Sequence, residues 1–176
     1  IMQWNAEGIF PDKRRSPFKK KLNAQEIDII CMQEAHLKNT QRFSVRGYQV
    51  FRKDREDRKC RGVAIFVKNS IPAEAFEVDT NNEAEIQGVN IMLDKKQYKI
   101  YNAYRPVDKK LALDKMEIAK EKVFVIGDFN SRSEAWGYPD ANTRGEEVED
   151  WQVENNLLLL NDPEDPPTFF SKACLS

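Results

Sequence analysis

The chain has 176 residues, a length sufficient for one domain with a hydrophobic core. Of these residues, 40% are hydrophobic and 32% are charged. Its formal net charge of −1 at pH 7 gives no global argument for a nucleic-acid partner. No stretch approaches the roughly 18 apolar residues of a membrane-spanning helix, and the sequence begins with a strand-like segment rather than a signal peptide, so we predict a single domain over 1–176 and no membrane partner.

The first half of the chain has the pattern of short β-strands separated by charged loops. A continuous apolar run ends at Glu34 and indicates a buried strand, while the pair Ser16-Pro17 is typical of a helix N-terminus. The predicted elements, in order, are a strand at 1–5, a helix from 16 to about 23, a strand at 27–33, and a strand pair at 48–51 and 63–67.

The second half alternates strands with helices. Residues 86–93 have a mostly apolar odd-numbered face, as in a half-buried strand, and 97–104 pairs back with them after a turn. The further predictions are a helix at 111–120, a short buried strand that opens the segment 123–130, a helix at about 146–155 and an apolar strand at 157–160. Together these elements indicate an α/β (α+β) fold in which two mixed β-sheets pack as a sandwich with flanking helices.

Charges and cysteines are unevenly distributed along the chain. Basic residues cluster at 13–21 and 52–61, whereas 128–165 is predominantly acidic. The basic clusters could form a face toward a polyanion, but each taken alone is better explained as a solvated loop. The three cysteines are widely spaced, which favours a reducing compartment over a disulfide or zinc framework, and Cys31 is interpreted as a core residue.

Polar side chains stand at the ends of four predicted strands, namely Asn5, Glu34, Tyr104, and Asp128 with Asn130. Open α/β sheets form functional sites from polar groups at strand ends. Asp128 and Asn130 are two residues apart, so on an extended segment their side chains would point to the same side. The set contains carboxylates, amides and a phenol, which are suited to Mg²⁺ or Mn²⁺ and to phosphate ester cleavage. Singly, Asn5 could instead cap a turn, Glu34 could be a solvated strand end, and Tyr104 could be a core aromatic. Asp128 and Asn130 could form an ordinary turn after a strand.

Four motifs occur in a fixed order along the chain: Trp4-Asn5, Met32-Gln33-Glu34, Asn102 to Pro106, and Gly127 to Asn130. In that order they resemble the exonuclease–endonuclease–phosphatase family. More narrowly, the chain resembles the apurinic-like endonuclease domain of non-LTR retrotransposons. This narrower resemblance is carried by Tyr104-Arg105-Pro106, Trp136-Gly137, Asn142 to Gly145, and Pro167 to Phe170.

The resemblance implies a metal-dependent endonuclease, with Mg²⁺ or Mn²⁺, that nicks one strand of double-stranded target DNA for retrotransposon integration. The freed 3′-hydroxyl would prime reverse transcription by a reverse transcriptase domain of the same polyprotein. The protein would therefore be synthesised in the cytoplasm and act on chromosomal DNA in the nucleus.

The resemblance also implies roles for individual residues. Glu34 would be the principal metal ligand, with Asn5 nearby. Asp128 would orient or activate the attacking water, Asn130 would position Asp128 and the scissile phosphate, and Tyr104 would donate to a phosphate oxygen. The residues expected to contact DNA are Arg105, Asn142, Thr143 and Arg144, although a plain surface turn explains the last three nearly as well.

The chain departs from the family pattern at its C-terminal end. The family ends with a strand carrying a Ser-Asp-His motif that this sequence lacks, and the only histidine, His36, is interpreted as a loop or rim residue. We therefore expect a fragment that lacks the last strands; a truncated copy, or completion by a partner chain, is the alternative. The alternative functions are a catalytically impaired DNA-binding or assembly module, and a phosphoesterase of the same family that acts on a small molecule.

Overall fold

The computed structural model describes residues 1–6, 27–37, 40, 42–54, 62–81, 83–118, 122–162 and 164. It divides into two compact units, Ile1–Phe129 and Asn130–Ser176. The predicted helix at 16–23, the first basic cluster, most of the second, and the motif at 167–170 lie outside the described residues. None of the helices in the described ranges has the length and apolar character that crossing a membrane requires.

Among the described residues, eight strands form two four-stranded sheets in the first unit. They are β1 (Met2–Asn5), β2 (Ile29–Gln33), β3 (Tyr48–Lys53), β4 (Val63–Lys68), β5 (Ala73–Phe76), β6 (Glu85–Leu93), β7 (Lys96–Tyr104) and β8 (Lys122–Asp128). The strand orders are β1-β2-β4-β3 and β5-β6-β7-β8. The β1–β2 and β7–β8 pairs are parallel and the others are antiparallel, so the predicted pair of mixed sheets is confirmed.

The central strands of the first sheet are buried on both faces, which explains why β2 and β4 consist of continuous apolar runs. One face packs against the second sheet, in a cluster of Ile29, Cys31, Ile65, Val67, Ile71, Val89, Ile91 and Ile100. The opposite face packs under its own connecting segments, in a cluster of Ala6, Ile30, Met32, Ala35, Leu37, Phe43, Val45, Ala64 and Phe66. The odd-numbered residues of β6 face the first sheet, as their alternation predicts.

Two buried amides link the sheets. The Gln33 side chain on β2 donates from Nε2 to Asn102 Oδ1 on β7 at 2.6 Å, and both residues are 0% exposed. Asn102 Nδ2 in turn donates to the carbonyl oxygens of Met32 at 2.8 Å and Ala64 at 3.0 Å. Because polar groups buried in an apolar core must be hydrogen-bonded, this network specifies one relative placement of the two sheets.

Gly127 lets β8 lie close to β7. A β-carbon at this position would stand 1.8 Å from the carbonyl oxygen of Ala103, so any larger residue would force the strands apart. The parallel register pairs Gly127 with Ala103 and Asp128 with Tyr104. The glycine therefore brings the acid at the end of β8 level with the tyrosine at the end of β7.

The second unit contains a 3-10 helix at Glu134–Trp136 and the α-helix α1 (Thr143–Glu154), which begins slightly before its predicted start. Asn142 caps α1, since its Oδ1 accepts from the Gly145 N–H at 2.8 Å. A β-carbon at Gly145 would stand 1.8 Å from the Arg132 carbonyl oxygen, so the first turn packs directly on that backbone.

Two predicted elements are wrong. Within the described residues 111–118, the predicted helix at 111–120 is only a 3-10 turn at Leu113–Lys115, because Ala112 adopts a left-handed conformation and the apolar residues are buried without a continuous helix. The predicted strand at 157–160 has no regular secondary structure and no sheet partner among the described residues. Leu158 and Leu160 are 83% and 72% exposed, so the apolar run does not mark a buried strand.

We expect the substitution Asn102→Leu to lower the free energy of unfolding by about 2–4 kcal/mol, because it removes the buried acceptor of a Gln33 Nε2 hydrogen bond and the donor to two buried carbonyl groups. Urea denaturation measures this cost. Gln97→Leu, on the exposed part of the same strand, is the matched control. A cost below about 0.5 kcal/mol, which is typical of surface substitutions, would contradict the role given to the network.

Asn142→Ala should weaken α1 by about 1 kcal/mol, because it removes the acceptor for the Gly145 N–H. Amide hydrogen exchange of the first turn reports the loss directly. Asn142→Ser, which keeps a capping oxygen, should restore most of the protection. Equal exchange rates in the alanine and serine variants would show that the cap contributes nothing.

Candidate active site

The ends of both parallel strand pairs meet at one side of the sandwich. The β1–β2 register places Asn5 opposite Gln33, so Glu34 follows directly at the end of β2. The β7–β8 register places Tyr104 opposite Asp128. The two pairings therefore bring four residues predicted from strand ends together in two pairs, one in each sheet.

Asn5 joins the carboxylates of the two sheets. Its Nδ2 donates to Glu34 Oε1 at 3.2 Å and to Asp128 Oδ2 at 2.9 Å. These contacts connect residues that are 29 and 123 positions away in the sequence. A single amide thus holds two acids near each other at the end of the sandwich, where each would otherwise repel the other.

Tyr104 completes the group as a protonated phenol. Burial raises the pKa of Tyr104 above its ordinary value, and a hydrogen bond to Glu34 raises it further. The negative charges of Glu34, Asp128 and Glu85 act in the same direction. Because the ionised form is disfavoured by all of these causes, the hydroxyl remains a hydrogen-bond donor at neutral and moderately alkaline pH.

The segment after β2 has an unusual backbone. Glu34 and His36 have φ angles of 50° and 52°, in the left-handed region that residues with a β-carbon rarely adopt. Between them, the Ala35 N–H donates to the Gly62 carbonyl oxygen at 2.9 Å. His36, predicted as a rim residue, has its Nε2 3.6 Å from Glu34 Oε2, so its ring lies beside the candidate site.

Asn130 does not extend strand β8. The strand ends at Asp128, and Asn130 has a φ of 47°, so the argument that two extended residues point to the same side does not apply to this pair. Asn130 is half-buried and is the first residue of the second unit. Its role toward Asp128 stays a prediction.

The residues predicted to contact DNA occupy different structural positions. Arg105 is 2% exposed and donates from Nε to the Lys109 carbonyl oxygen at 2.7 Å, so it stabilises the turn after β7. In the second unit Asn142 is the helix cap, Thr143 is exposed and Arg144 is half-buried. Contact of any of the four with DNA stays a prediction.

Glu85 was not identified from the sequence. It opens β6 opposite Tyr104, is 2% exposed, and accepts a hydrogen bond from the Gly62 N–H at 2.7 Å. One signal in the sequence could have identified it: Glu85 is an acid on the strand face that is otherwise mostly apolar and therefore predicted to be buried. Cys31 is a core residue as predicted: it is 0% exposed, and burial raises the pKa of its thiol to about 12.

The donor chemistry of the site fits a hard divalent cation. Among the described residues no group of three or more His, Cys, Asp and Glu side chains is placed to hold a metal ion. The available oxygens are those of Glu34 and Asp128, with the amide oxygen of Asn5. A cation that binds through one or two carboxylates and keeps water or phosphate oxygens for its other positions suits this set.

Comparisons with known proteins agree with this architecture. The profile of the Endonuclease/Exonuclease/phosphatase family matches residues 2–173. A curated relative, "RNA-directed DNA polymerase from mobile element jockey" of Drosophila melanogaster, is 23% identical over 173 residues, which is 96% of this chain and 18% of that protein. The chain therefore spans less than a fifth of the length of this relative.

Solved structures show the same fold. The endonuclease domain of TRAS1, a telomere-specific non-LTR retrotransposon, superposes with a TM-score of 0.74 at 21% identity and covers 91% of this chain and 73% of that domain. An AP endonuclease from Archaeoglobus fulgidus superposes with a TM-score of 0.57 at 16% identity, with 87% and 69% covered. The resemblance to a retrotransposon endonuclease domain is thus confirmed, and the predicted sandwich is the architecture of these enzymes. By its sequence profile and its fold, the chain belongs to the Endonuclease/Exonuclease/phosphatase family.

Proposed function

We propose that this chain is a divalent-metal-dependent phosphodiesterase that nicks one strand of double-stranded DNA. The observation that carries the proposal is the contact of Asn5 with both Glu34 and Asp128, with protonated Tyr104 beside them. Acids, an amide and a neutral phenol at one point provide a place for a cation, a proton acceptor and a donor to a phosphate oxygen.

Glu34, together with the amide oxygen of Asn5, would hold Mg²⁺ or Mn²⁺. The ion would act as a Lewis acid on a phosphate oxygen. Glu34 already accepts hydrogen bonds from Asn5 and Tyr104, which fix the direction of its carboxylate. Such fixed orientation of a ligand is what supports tight and geometrically defined metal binding.

Asp128 would accept the proton of the attacking water. Its carboxylate is half-buried, and the bond from Asn5 Nδ2 restricts its orientation. Asn130, two residues later, would help to place Asp128 and the scissile phosphate. Tyr104 would donate its hydroxyl hydrogen to a phosphate oxygen as negative charge develops there, which a phenol can do only while it is protonated.

DNA would be contacted by residues beyond this group, among them Arg105, Asn142, Thr143 and Arg144. The relative named as a mobile-element polymerase and the neighbouring retrotransposon domain support a role in integration, with a reverse transcriptase domain of the same polyprotein as partner. Action on chromosomal DNA would place the protein in the nucleus. We also propose that residues 1–176 belong to a single endonuclease domain.

Two other functions remain candidates for the same fold. The chain contains one histidine, His36, which lies beside Glu34 rather than in a separate motif, and this favours a DNA-binding module with impaired catalysis as the second candidate. A phosphoesterase acting on a small molecule is the third. Salt-dependent DNA binding without nicking would select the second, and hydrolysis of a small phosphodiester without DNA affinity would select the third.

Asp128→Asn should abolish Mg²⁺-dependent relaxation of supercoiled plasmid, with a loss of at least about 100-fold, because the proton acceptor is removed while the size of the side chain is kept. Glu34→Gln should weaken Mn²⁺ binding as well as nicking. Asp94→Asn is the matched control. Asp94 is an exposed turn residue with a left-handed backbone conformation, which asparagine tolerates.

Both site variants should still bind DNA, with affinity that falls as salt rises. The proposal would be wrong if folded wild-type protein gave no relaxation in Mg²⁺ or Mn²⁺, or if relaxation persisted in EDTA. It would also fail if Asp128→Asn nicked DNA at the wild-type rate.

Tyr104→Phe should reduce kcat for nicking by roughly 100- to 1,000-fold, since one donor to the developing charge is lost. The raised pKa of Tyr104 means that this phenol contributes no fall in activity between about pH 7 and pH 10. Its contribution to stability is fully present below the unfolded pKa of about 10 and is lost progressively as pH rises from there through the higher folded value. A wild-type activity profile that falls below pH 9, with the fall absent in Tyr104→Phe, would contradict this account.

A further inference from the structure

Glu85 is a buried carboxylate that the proposed reaction does not use. It is 2% exposed, and it lies at the first position of β6 on the face that packs toward the first sheet. Acids are almost never fully buried unless they are bound to a partner, because removal of the charged group from water is strongly unfavourable. The burial of Glu85 therefore indicates that its carboxylate makes a specific stabilising contact.

The contacts of Glu85 lead to the segment that carries Glu34. Glu85 Oε2 accepts a hydrogen bond from the Gly62 N–H at 2.7 Å. The carbonyl oxygen of the same glycine accepts from the Ala35 N–H at 2.9 Å. Two hydrogen bonds in series thus connect the second sheet to the residue that follows Glu34.

That segment needs an external support. Glu34 and His36, on either side of Ala35, have φ angles of 50° and 52°. Residues with a β-carbon persist in this region when surrounding contacts hold them there. Gly62 itself has a φ of 109°, which only glycine adopts readily, so its N–H and C=O are presented to Glu85 and Ala35 by a backbone conformation specific to this residue.

We propose that Glu85 is a positioning residue that, through Gly62 and Ala35, holds Glu34 where its carboxylate meets Asn5 and Tyr104. Glu85 makes no contact with substrate in this scheme and acts only through the backbone of the other two residues. The consequence for nicking rests on the proposed function, whereas the consequence for the conformation of the Glu34 segment does not.

An electrostatic role for Glu85 is separable from this positioning role by experiment. Glu85 stands opposite Tyr104 in the β6–β7 pairing, and its negative charge is one of the causes that raise the pKa of that phenol. Glu85→Gln removes the charge but keeps the length and a carbonyl acceptor. Glu85→Asp keeps the charge but shortens the side chain, so that it no longer reaches Gly62.

The test compares Glu85→Gln, Glu85→Asp and Glu85→Leu with wild type in three measurements. These are hydrogen exchange of the Ala35 and Gly62 amides, Mn²⁺ affinity by electron paramagnetic resonance, and kcat and KM for plasmid nicking. Glu74→Gln and Glu74→Asp, at an exposed position of β5 in the same sheet, are the matched controls. All are measured below the melting temperature of the least stable variant.

We expect Glu85→Gln to retain slow exchange at Ala35, together with wild-type Mn²⁺ affinity and kcat. Glu85→Asp and Glu85→Leu should speed exchange at Ala35 and reduce Mn²⁺ affinity and kcat by roughly 10- to 100-fold, while KM for DNA changes little. A general loss of stability would not explain wild-type behaviour in Glu85→Gln together with impaired behaviour in Glu85→Asp.

Two results would overturn the inference. The first is that Glu85→Asp keeps wild-type Ala35 exchange, Mn²⁺ affinity and kcat while Glu85→Gln loses them. This would show that the charge of Glu85 is important and that its hydrogen bond to Gly62 is not. A lower melting temperature in all three variants, with Ala35 exchange, Mn²⁺ affinity and kcat unchanged, would make Glu85 a structural residue only. If wild-type protein does not nick DNA, the proposed function fails, and exchange at Ala35 still decides whether Glu85 positions the segment.

Discussion

The hydrogen bond between Gln33 and Asn102 is the contact on which the rest of the structure depends. It links the two sheets through polar groups that are fully buried in a largely apolar interface. Apolar packing alone is tolerant of small shifts between layers, whereas a buried amide that loses its partner leaves an uncompensated polar group. The pair therefore fixes how the sheets are set against each other, and the apolar clusters on both sides supply most of the burial.

The same pair sets the dimensions of the candidate site. Gln33 directly precedes Glu34, and Asn102 lies two residues before Tyr104 on the same face of β7. Fixing the amides thus places the acid of one sheet against the phenol of the other, and Asn5 then connects that acid to Asp128. Two acids near one amide repel each other, and a divalent cation would offset that repulsion.

A separate set of hydrogen bonds, outside the site itself, stabilises the segment that carries Glu34. The site is built at strand ends, where the backbone leaves the regular sheet and takes conformations such as the left-handed one at Glu34. Strand pairing cannot hold a residue beyond the last ladder bond, so such positions need contacts from other segments. Glu85 and Gly62 provide a contact of this kind, which places a buried acid of the second sheet in the support of a residue from the first.

The sequence by itself determined the strand ends, the two mixed sheets and the family, because hydrophobic runs and the residues that terminate them are local properties. It also placed Asn5, Glu34, Tyr104 and Asp128 at the ends of strands, but it did not show that these residues come together. It failed at 111–120 and 157–160, where local apolar spacing did not decide the conformation. Only the tertiary structure decided which residues meet, since the contacts of Asn5 with Asp128 and of Gln33 with Asn102 join positions 123 and 69 apart. The role of Glu85 belongs to the same class, because a bond to a backbone N–H leaves no signature in the residue types along the chain.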